Sequence, residues 1–274
     1  MTPSERSPQR VVVAVQARLG SSRLPRKALA PLLGRPLIER LIERVGQARR
    51  AQQIIITTSD QAEDDALAEL AVRLGVLCAR GPVNDLAARL HGAAQLAQAD
   101  LLVRVWGDCP CMDPGVIDLA IEHSQGYDYL NNARIGDGAD GFIRSFPFGL
   151  DIEVYRAEVL RGLAEDEPDP YFREFLVQAL HRPETTWRFG RLDSDQDYSD
   201  VHLSVDWPED LELVRFVFER LYQPGRAFGF HDAVALLRAH PEVVCNAELP
   251  RNQEFLYKKQ AHDTFHRASV IDGY

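Results

Sequence analysis

Residues 11–27 read VVVAVQARLGSSRLPRK, a valine-rich apolar run followed by a loop with glycine and serine. A short apolar run without polar alternation is typical of a strand that is buried on both faces of a parallel sheet. The loop carries Arg18, Arg23, Arg26 and Lys27 and no acidic residue. Ligands of open parallel sheets bind beyond the carboxyl ends of the strands, so we expect a ligand site at this loop.

The same alternation of strand and helix continues along the first half of the chain. Apolar runs predict further strands over residues 54–58, 76–79 and 101–106. Helical periodicity and end signals predict helices over residues 36–45, 60–74 and 84–97 and another from Pro114, with Asp60 and Asp113 as N-caps and Gly75 just past a helix end. The predicted fold class is α/β, a Rossmann-like (GT-A-type), mostly parallel sheet sandwiched by helices.

The second half follows a looser pattern. Strand-like stretches occur at residues 127–130, 150–155, 187–192 and 202–205, a helix is predicted over residues 171–180, and two more begin at Pro208 and His231. We expect one domain over residues 1–274. Its core spans about 10–130 and 200–245, a β-containing insertion over about 131–200 covers the site, and the polar tail 246–274 has no clear place.

Composition limits the class of protein. The 274 residues carry a net charge of −10, which argues against binding to nucleic acid because a phosphate backbone is held by surplus Lys and Arg. No apolar run approaches the roughly 20 residues that cross a bilayer, and the polar start lacks the apolar segment of a signal peptide. We therefore expect a cytoplasmic protein without a membrane partner. The charge is uneven, since residues 1–38 hold seven basic residues and one acidic residue.

The basic loop is a candidate phosphate site. Gly20, Ser21 and Ser22 permit tight folding that exposes backbone N–H groups to phosphate oxygens. The loop matches neither the Walker A nor the GxGxxG pattern. Only three lysines occur in the chain, and the one at position 27 suggests that a compact ammonium is needed there. The alternative is a basic loop that is simply solvated.

Two carboxylates, Asp108 and Asp206, each follow a predicted strand at the same edge of the sheet. Mg²⁺ takes few protein oxygens and otherwise binds phosphates and water, so this pair suits it. Helix capping is the alternative, but it explains Asp206 poorly, because Pro208 at the first helical position makes Trp207 the N-cap. Asp108 is likewise too far from Pro114 to cap that helix.

Several motifs in order along the chain resemble one family. They are ARLGSSRLPRK (17–27), LGRPLIER (33–40), Gly81 with Asp85, RVWGDCP (104–110), GLDIEV (149–154) and VDWPEDL (205–211). This series closely resembles the sugar-acid cytidylyltransferases, which include the 3-deoxy-manno-octulosonate and acylneuraminate enzymes, and above all the spore-coat polysaccharide F-type branch.

The resemblance implies an enzyme that transfers CMP from CTP to an acidic sugar, or to another anionic acceptor such as a phosphonate, with release of pyrophosphate. It implies Mg²⁺ on Asp108 and Asp206, phosphate neutralisation by Arg18 and Lys27, and a homodimer. The nucleotide-binding set it implies is Ala17, Arg18, Leu19, Gly20, Ser21, Ser22, Arg23, Lys27, Gly81 and Asp85. The substrate-binding set is Asp151, Glu153 and Arg173, of which the first two would share one face of a strand.

This chain departs from the family pattern at two positions, with Phe175 where His is usual and Arg26 where many relatives have Gly. Two other functions remain open. A GT-A-like glycosyltransferase would use a nucleotide sugar, although the basic loop suits a free triphosphate and no clear DxD triplet follows the fourth strand. A non-catalytic nucleotide-binding subunit would have no need of Lys27, Asp108 and Asp206 together.

Overall fold

The valine run at residues 11–15 forms the middle of the fold. The computed structural model describes residues 9–136, 138 and 140–271, without the side chains of residues 253, 254 and 265–271. The strands of this part of the chain are β1 (Val11–Gln16), β2 (Pro31–Leu32), β3 (Arg35–Pro36), β4 (Gln53–Ser59), β5 (Leu77–Gly81), β6 (Leu101–Trp106), β7 (Tyr129–Asn131), β8 (Ala133–Ile135), β9 (Phe142–Arg144), β10 (Glu153–Arg156) and β11 (Phe189–Arg191).

The α-helices alternate with these strands through the first half and dominate the end of the chain. They are α1 (Leu37–Val45), α2 (Asp65–Leu74), α3 (Leu86–Leu96), α4 (Pro114–His123), α5 (Ala157–Glu165), α6 (Pro170–Glu174), α7 (Leu176–Leu180), α8 (Pro208–Leu221), α9 (Phe230–Ala239) and α10 (Gln253–Ile271).

Seven strands make one sheet in the order β11-β7-β10-β6-β1-β4-β5. β1 pairs in parallel with β4 and β6, and β5 extends the parallel set, whereas β10 runs antiparallel between β6 and β7. The mostly parallel α/β fold class is thus confirmed. Strands β7, β10 and β11 show that the segment over about 131–200 adds to the main sheet rather than forming a separate body.

The core lies on both sides of the sheet. Val11, Val13 and Val15 pack on the face covered by α1, α2, α4, α8 and α9, while Val12 and Ala14 pack on the face covered by α3, α5 and α7. All five residues are at most 4% exposed, as a continuous apolar run predicts for a central strand. The carboxyl ends of β1 and β6 therefore lie side by side at one edge.

Two predicted strands differ in the structure. Residues 202–205 form only an isolated bridge from His202 to Phe148, because their amides bond to loop residues: Leu203 N donates to Phe148 O at 2.7 Å and Val205 N to Asp108 O at 2.8 Å. The strand predicted over 150–155 begins only at Glu153, since Ile152 N donates to the Asn132 side chain. Asp151 consequently precedes the strand and does not share a strand face with Glu153, contrary to the prediction.

Two predicted helices are also corrected. The helix predicted over 171–180 is two short helices, α6 and α7, because the backbone at Phe175 is non-helical (φ −111°, ψ 74°). The helix predicted from Asp60 begins at Asp65 after a 3₁₀ turn, so Asp60 is not its N-cap. Asp113 and Gly75 are confirmed as a cap and a left-handed helix end, and the tail forms α10.

Candidate functional site

The loop after β1 is folded tightly against the start of α2. The buried carboxylate of Asp64 accepts the Leu19 N–H at 2.7 Å, and Leu19 O accepts the amides of Ser21 and Arg26 at 2.9 and 3.1 Å. Arg26 takes a left-handed conformation (φ 58°), which glycine adopts freely and an arginine only with some strain. A Cβ on Gly20 would lie 2.8 Å from Glu63 Oε1, the end of an exposed and flexible side chain that can move aside, so this contact does not require glycine.

Lys27 joins the two candidate metal ligands. Its Nζ lies 2.5 Å from Asp108 Oδ2 and 2.8 Å from Asp206 Oδ1, and the guanidinium of Arg23 adds a third contact to Asp206 Oδ1 at 2.7 Å. The Lys27 side chain is only 13% exposed. The structure thus brings together, from positions 27, 108 and 206, the three charged groups that the sequence singled out.

The charges of these groups stabilise one another. Burial alone would lower the pKa of Lys27, but the carboxylates of Asp108 and Asp206 outweigh it and raise this pKa above its ordinary value. Burial alone would raise the pKa of Asp206, yet Lys27 and then Arg23 lower it. Lys27 is therefore a cation, and Asp206 an anion, across the neutral pH range.

Backbone contacts between strand ends fix this geometry. Gly107 N donates to Gln16 O at 2.7 Å, and a Cβ at Gly107 would lie 2.6 Å from the Ala17 Cβ, so only glycine lets the two loops approach so closely. Val205 N in turn donates to Asp108 O, which holds the segment before Asp206 against the end of β6. The backbone positions of Asp108 and Asp206 are therefore fixed by hydrogen bonds at the end of the sheet.

These residues line one cavity of about 830 Å³. The predicted site residues that line it are Ala17, Arg18, Gly20, Ser21, Ser22, Arg23, Lys27, Asp108, Asp151, Glu153 and Asp206. Leu19 instead buries its side chain in the core and serves through its backbone. Gly81, Asp85 and Arg173 lie outside the lining.

Those three residues support the cavity wall. Asp85 caps α3 by accepting the Ala88 N–H at 2.8 Å and also accepts the Arg173 guanidinium, with Nε at 2.9 Å. Gly81 leaves room for Arg89, whose Cγ would lie 3.0 Å from a Cβ at that position. The structure therefore connects α3 with α6 through Asp85 and Arg173 and gives Gly81 a packing role.

The two carboxylates on the opposite wall, Glu153 and Asp151, each accept a hydrogen bond from an arginine. Glu153 accepts Arg104 at 2.6 Å, Tyr129 at 2.9 Å and Tyr155 at 2.7 Å in a buried network. The sequence suggested an exposed strand face as its alternative role, and Glu153 is only 5% exposed. Asp151 accepts Arg144 at 3.0 Å, and burial raises the pKa of Asp151 although Arg144 opposes the shift.

Several lining residues were missed by sequence reasoning. Arg89 and Arg104 come from α3 and β6, and Asn252 and Phe255 come from the tail. Burial, followed by the neighbouring guanidinium groups of Arg18 and Arg104, lowers the pKa of Arg89 to about 10. The sequence did contain a signal for Arg104, because an arginine stands inside the apolar run 101–106. The weak periodicity of the tail gave no sign that Asn252 and Phe255 line the cavity.

A divalent cation fits this arrangement. The carboxylates of Asp108 and Asp206 already hold one cationic atom, Lys27 Nζ, between them. Among the residues that the structure describes, no group of three or more His, Cys, Asp and Glu side chains could hold a metal ion. Two carboxylates suffice for a hard cation that takes its other oxygens from phosphates and water.

No helix in the described part of the chain has both the length and the apolar content needed to cross a bilayer.

The positive groups along the loop and the paired carboxylates beside them form a site suited to a phosphorylated ligand.

Comparisons with known proteins point to one family. A family model described as cytidylyltransferase matches residues 12–182. The spore coat polysaccharide biosynthesis protein SpsF of Bacillus subtilis is 24% identical over 247 residues, which cover 87% of this chain and 98% of that protein. A solved cytidylyltransferase from Leptospira borgpetersenii is 28% identical, with a TM-score of 0.77 over 87% of this chain and 98% of that one.

The solved structure of CMP-2-keto-3-deoxy-manno-octonic acid synthetase in complex with CTP shares the fold, with a TM-score of 0.58 at 20% identity over 77% of this chain and 99% of that one. The family match spans more than half of the chain and includes the basic loop, Lys27 and Asp108. The resemblance found in the sequence is thereby confirmed: the chain belongs to the cytidylyltransferase family and is a nucleotidyltransferase.

Proposed function

We propose that this enzyme transfers CMP from CTP to an acidic sugar, or to a similar anionic acceptor, and releases pyrophosphate, in the biosynthesis of a surface polysaccharide. The observation that carries the proposal is the contact of Lys27 with both Asp108 and Asp206 at the end of the basic loop. The name of SpsF supports a polysaccharide, and the complex of the octonic acid synthetase supports CTP and a sugar acid.

The loop would bind the triphosphate. The N–H groups of Gly20, Ser22 and Arg23 make no hydrogen bond to the residues that the structure describes, so they are available to phosphate oxygens. Arg18 lines the same cavity and forms no ion pair with a described carboxylate, so its charge is available as well. Lys27 and Arg23 add positive charge at the end where Asp108 and Asp206 meet.

Reaction at the α-phosphorus rests on positioning and on neutralising charge. A sugar hydroxyl, which gives up its proton to water, or an already ionised phosphonate oxygen attacks the α-phosphorus; the bond to the bridging oxygen breaks, and pyrophosphate leaves with its electron pair. Lys27 donates hydrogen bonds to the phosphate oxygens as it moves from the carboxylates. Mg²⁺ held by Asp108 and Asp206 would neutralise phosphate charge.

The acceptor would occupy the part of the cavity between β9, α6 and α10. Phe142, Phe175 and Phe255 line this part, and Arg144 lies there with Asp151. It contains the position at which this chain has Phe instead of the usual His. With Phe at this position, an aromatic ring can pack against the apolar face of a sugar ring, but the hydrogen bond that a histidine would make to the acceptor is absent.

Pyrophosphate release tests the proposal. The purified enzyme is incubated with Mg²⁺, with one of the four common nucleoside triphosphates and with a panel of acidic sugars and phosphonates. We expect pyrophosphate from CTP alone, with at least one acceptor, and none from the Asp108→Asn variant. In a parallel incubation with nucleotide sugars in place of the triphosphate, release of a free nucleotide would instead favour the glycosyltransferase. No turnover in either incubation, despite CTP binding, would favour the non-catalytic subunit.

The homodimer implied by the family is part of the same proposal. Sedimentation of the enzyme at micromolar concentration tests it, because a mass near the 30.8 kDa of one chain would contradict a dimer.

A further inference from the structure

A buried ion pair lies behind Asp206, and it is formed by Asp210 in the first turn of α8 and by Arg251 in the segment before α10. Arg251 NH1 lies 2.7 Å from Asp210 Oδ2, and NH2 lies 2.7 Å from Asp210 Oδ1. Asp210 is fully buried and Arg251 is 5% exposed. This two-pronged contact is the strongest geometry available to an arginine and a carboxylate.

The carboxylate of Asp210 holds the backbone of the candidate metal ligand. Its Oδ2 accepts the N–H of Asp206 at 2.9 Å and that of Trp207 at 2.8 Å, and its Oδ1 accepts the Asn246 side chain at 2.7 Å. A capping role for α8 explains the bond to Trp207, the N-cap residue. It does not explain the bond to Asp206, which lies one residue before the cap.

Arg251 also lies near the Asp206 side chain itself. Its NH1 is 3.8 Å from Asp206 Oδ2, on the side opposite to the oxygen that Lys27 and Arg23 contact. Each oxygen of the Asp206 carboxylate therefore faces a different positive group. This arrangement restricts the rotation of the carboxylate and keeps Oδ1 directed at the cavity.

We propose that Arg251 is a positioning residue for metal binding, acting through Asp210 on Asp206. The inference rests on the proposed function, since it takes Asp206 as a metal ligand. Without the guanidinium, the buried Asp210 carboxylate lacks its compensating charge and turns toward other donors. The two amides that fix Asp206 and Trp207 then lose their anionic acceptor, and the carboxylate loses its fixed direction.

The segment that supplies Arg251 is part of the cavity wall. Pro250 O accepts the Trp207 indole N–H at 3.2 Å, and the next residues, Asn252 and Phe255, line the cavity. This segment lies beyond residues 12–182, which the family model matches. The structure thus assigns the tail a direct part in organising the site, in addition to covering it.

Mn²⁺ binding tests the proposal without an acceptor. Mn²⁺ affinity is measured by electron paramagnetic resonance with saturating CTP, and CTP affinity is measured calorimetrically in EDTA. We expect Arg251→Met to weaken Mn²⁺ binding about 10- to 100-fold, the usual effect of losing a partner of a metal ligand, and to leave metal-free CTP binding unchanged. Arg251→Lys keeps the charge but not the two-pronged contact, so we expect an intermediate loss.

Arg238→Met is the matched control, because that side chain is 53% exposed and lies on α9 outside the cavity lining. Mn²⁺ binding of wild-type strength in folded Arg251→Met, or an equal loss of metal-free CTP binding, would overturn the proposal. If Arg251→Met does not fold, Arg251→Lys decides in the same way, and failure of both variants to fold would show a structural role only.

The Asp206→Asn variant separates this inference from the proposed function. If it binds Mn²⁺ as well as the wild type does, the metal site itself is wrong. If it loses Mn²⁺ while Arg251→Met retains it, only the positioning role of Arg251 is wrong.

Discussion

Replacing Lys27 by Met removes the ammonium that bonds both Asp108 and Asp206 while keeping a side chain of similar length. Asp108 Oδ2 and Asp206 Oδ1 contact the same Nζ atom, at 2.5 and 2.8 Å, so these two oxygens are at most about 5 Å apart. At an effective dielectric constant of about 20, two unit charges at that distance repel by about 3 kcal/mol. In the variant this repulsion is no longer offset by the lysine.

The repulsion between the two carboxylates also changes the free energy of metal binding. In the wild type a divalent cation must displace Lys27 from between the carboxylates, whereas in Lys27→Met it relieves their repulsion. Since about 1.4 kcal/mol is a factor of ten, we expect nucleotide-free Lys27→Met to bind Mn²⁺ up to roughly 100-fold more tightly than the wild type. Turnover nevertheless falls by about two to three orders of magnitude, because the charge that stabilises the reacting phosphates is lost.

Paramagnetic titration of the nucleotide-free proteins and a pyrophosphate-release assay measure the two effects. Lys259→Met is the control, because that lysine is an exposed partner of Asp263 on α10. Equal or weaker Mn²⁺ binding by Lys27→Met would refute the competition between lysine and metal. Pyrophosphate release within a few-fold of the wild type would refute the role of Lys27 at the phosphates.

The other predictions concern the carboxylates and the close contact behind them. Asp108→Asn should lower pyrophosphate release by orders of magnitude without loss of the folded circular dichroism spectrum; near-normal release would contradict its role. Burial would raise the pKa of Asp206, but the charge of Lys27 outweighs burial and lowers it below its ordinary value of 3.8. Ionised Asp206 therefore stabilises the fold at pH values above 3.8, and this contribution disappears as the pH falls through the lowered pKa. The difference in urea stability between wild type and Asp206→Asn should therefore shrink from pH 7 to pH 3, and a constant difference would argue against the ion pair. Gly107→Ala should destabilise the protein by about 1–3 kcal/mol in urea unfolding, because its Cβ overlaps the neighbouring loop; an unchanged midpoint would show that the loops can separate.

The parts of the fold that the sequence predicted are those set by local patterns. The run 11–15 has to be buried on both faces, and the order of strands and helices that follows leaves a parallel sheet as the simplest solution. The sequence also predicted that Lys27, Asp108 and Asp206 lie close together, because each comes after an apolar segment that ends at the same edge of the sheet. Topology, together with the family motifs, was therefore sufficient for this half of the site.

The rest depends on contacts between segments far apart in the chain. Residues 202–205 have the composition of a strand, but the loop residues Phe148 and Asp108 accept their backbone hydrogen bonds. The break at Phe175 and the pairing of Arg251 with Asp210 are likewise set by tertiary packing. Gly81, Asp85 and Arg173 were expected to touch ligands, and the structure places them behind the cavity wall, where they support it.

The hydrogen bonds that join β1, β6 and the segment before Asp206 make the two ends of the cavity mechanically unequal. At the phosphate end, moving the backbone of Asp108 away from the end of β1 requires parting adjacent central strands of the sheet, so this backbone is as stiff as the fold itself, while the Lys27 side chain can still leave the carboxylates. At the other end the walls are the two-stranded hairpin of β8 and β9, the short helix α6 and α10, which hold on mainly through side chains. If the acceptor binds there as proposed, substitutions in these walls would reshape its pocket without disturbing the phosphate end, so a new acceptor could be acquired while the reaction stays the same.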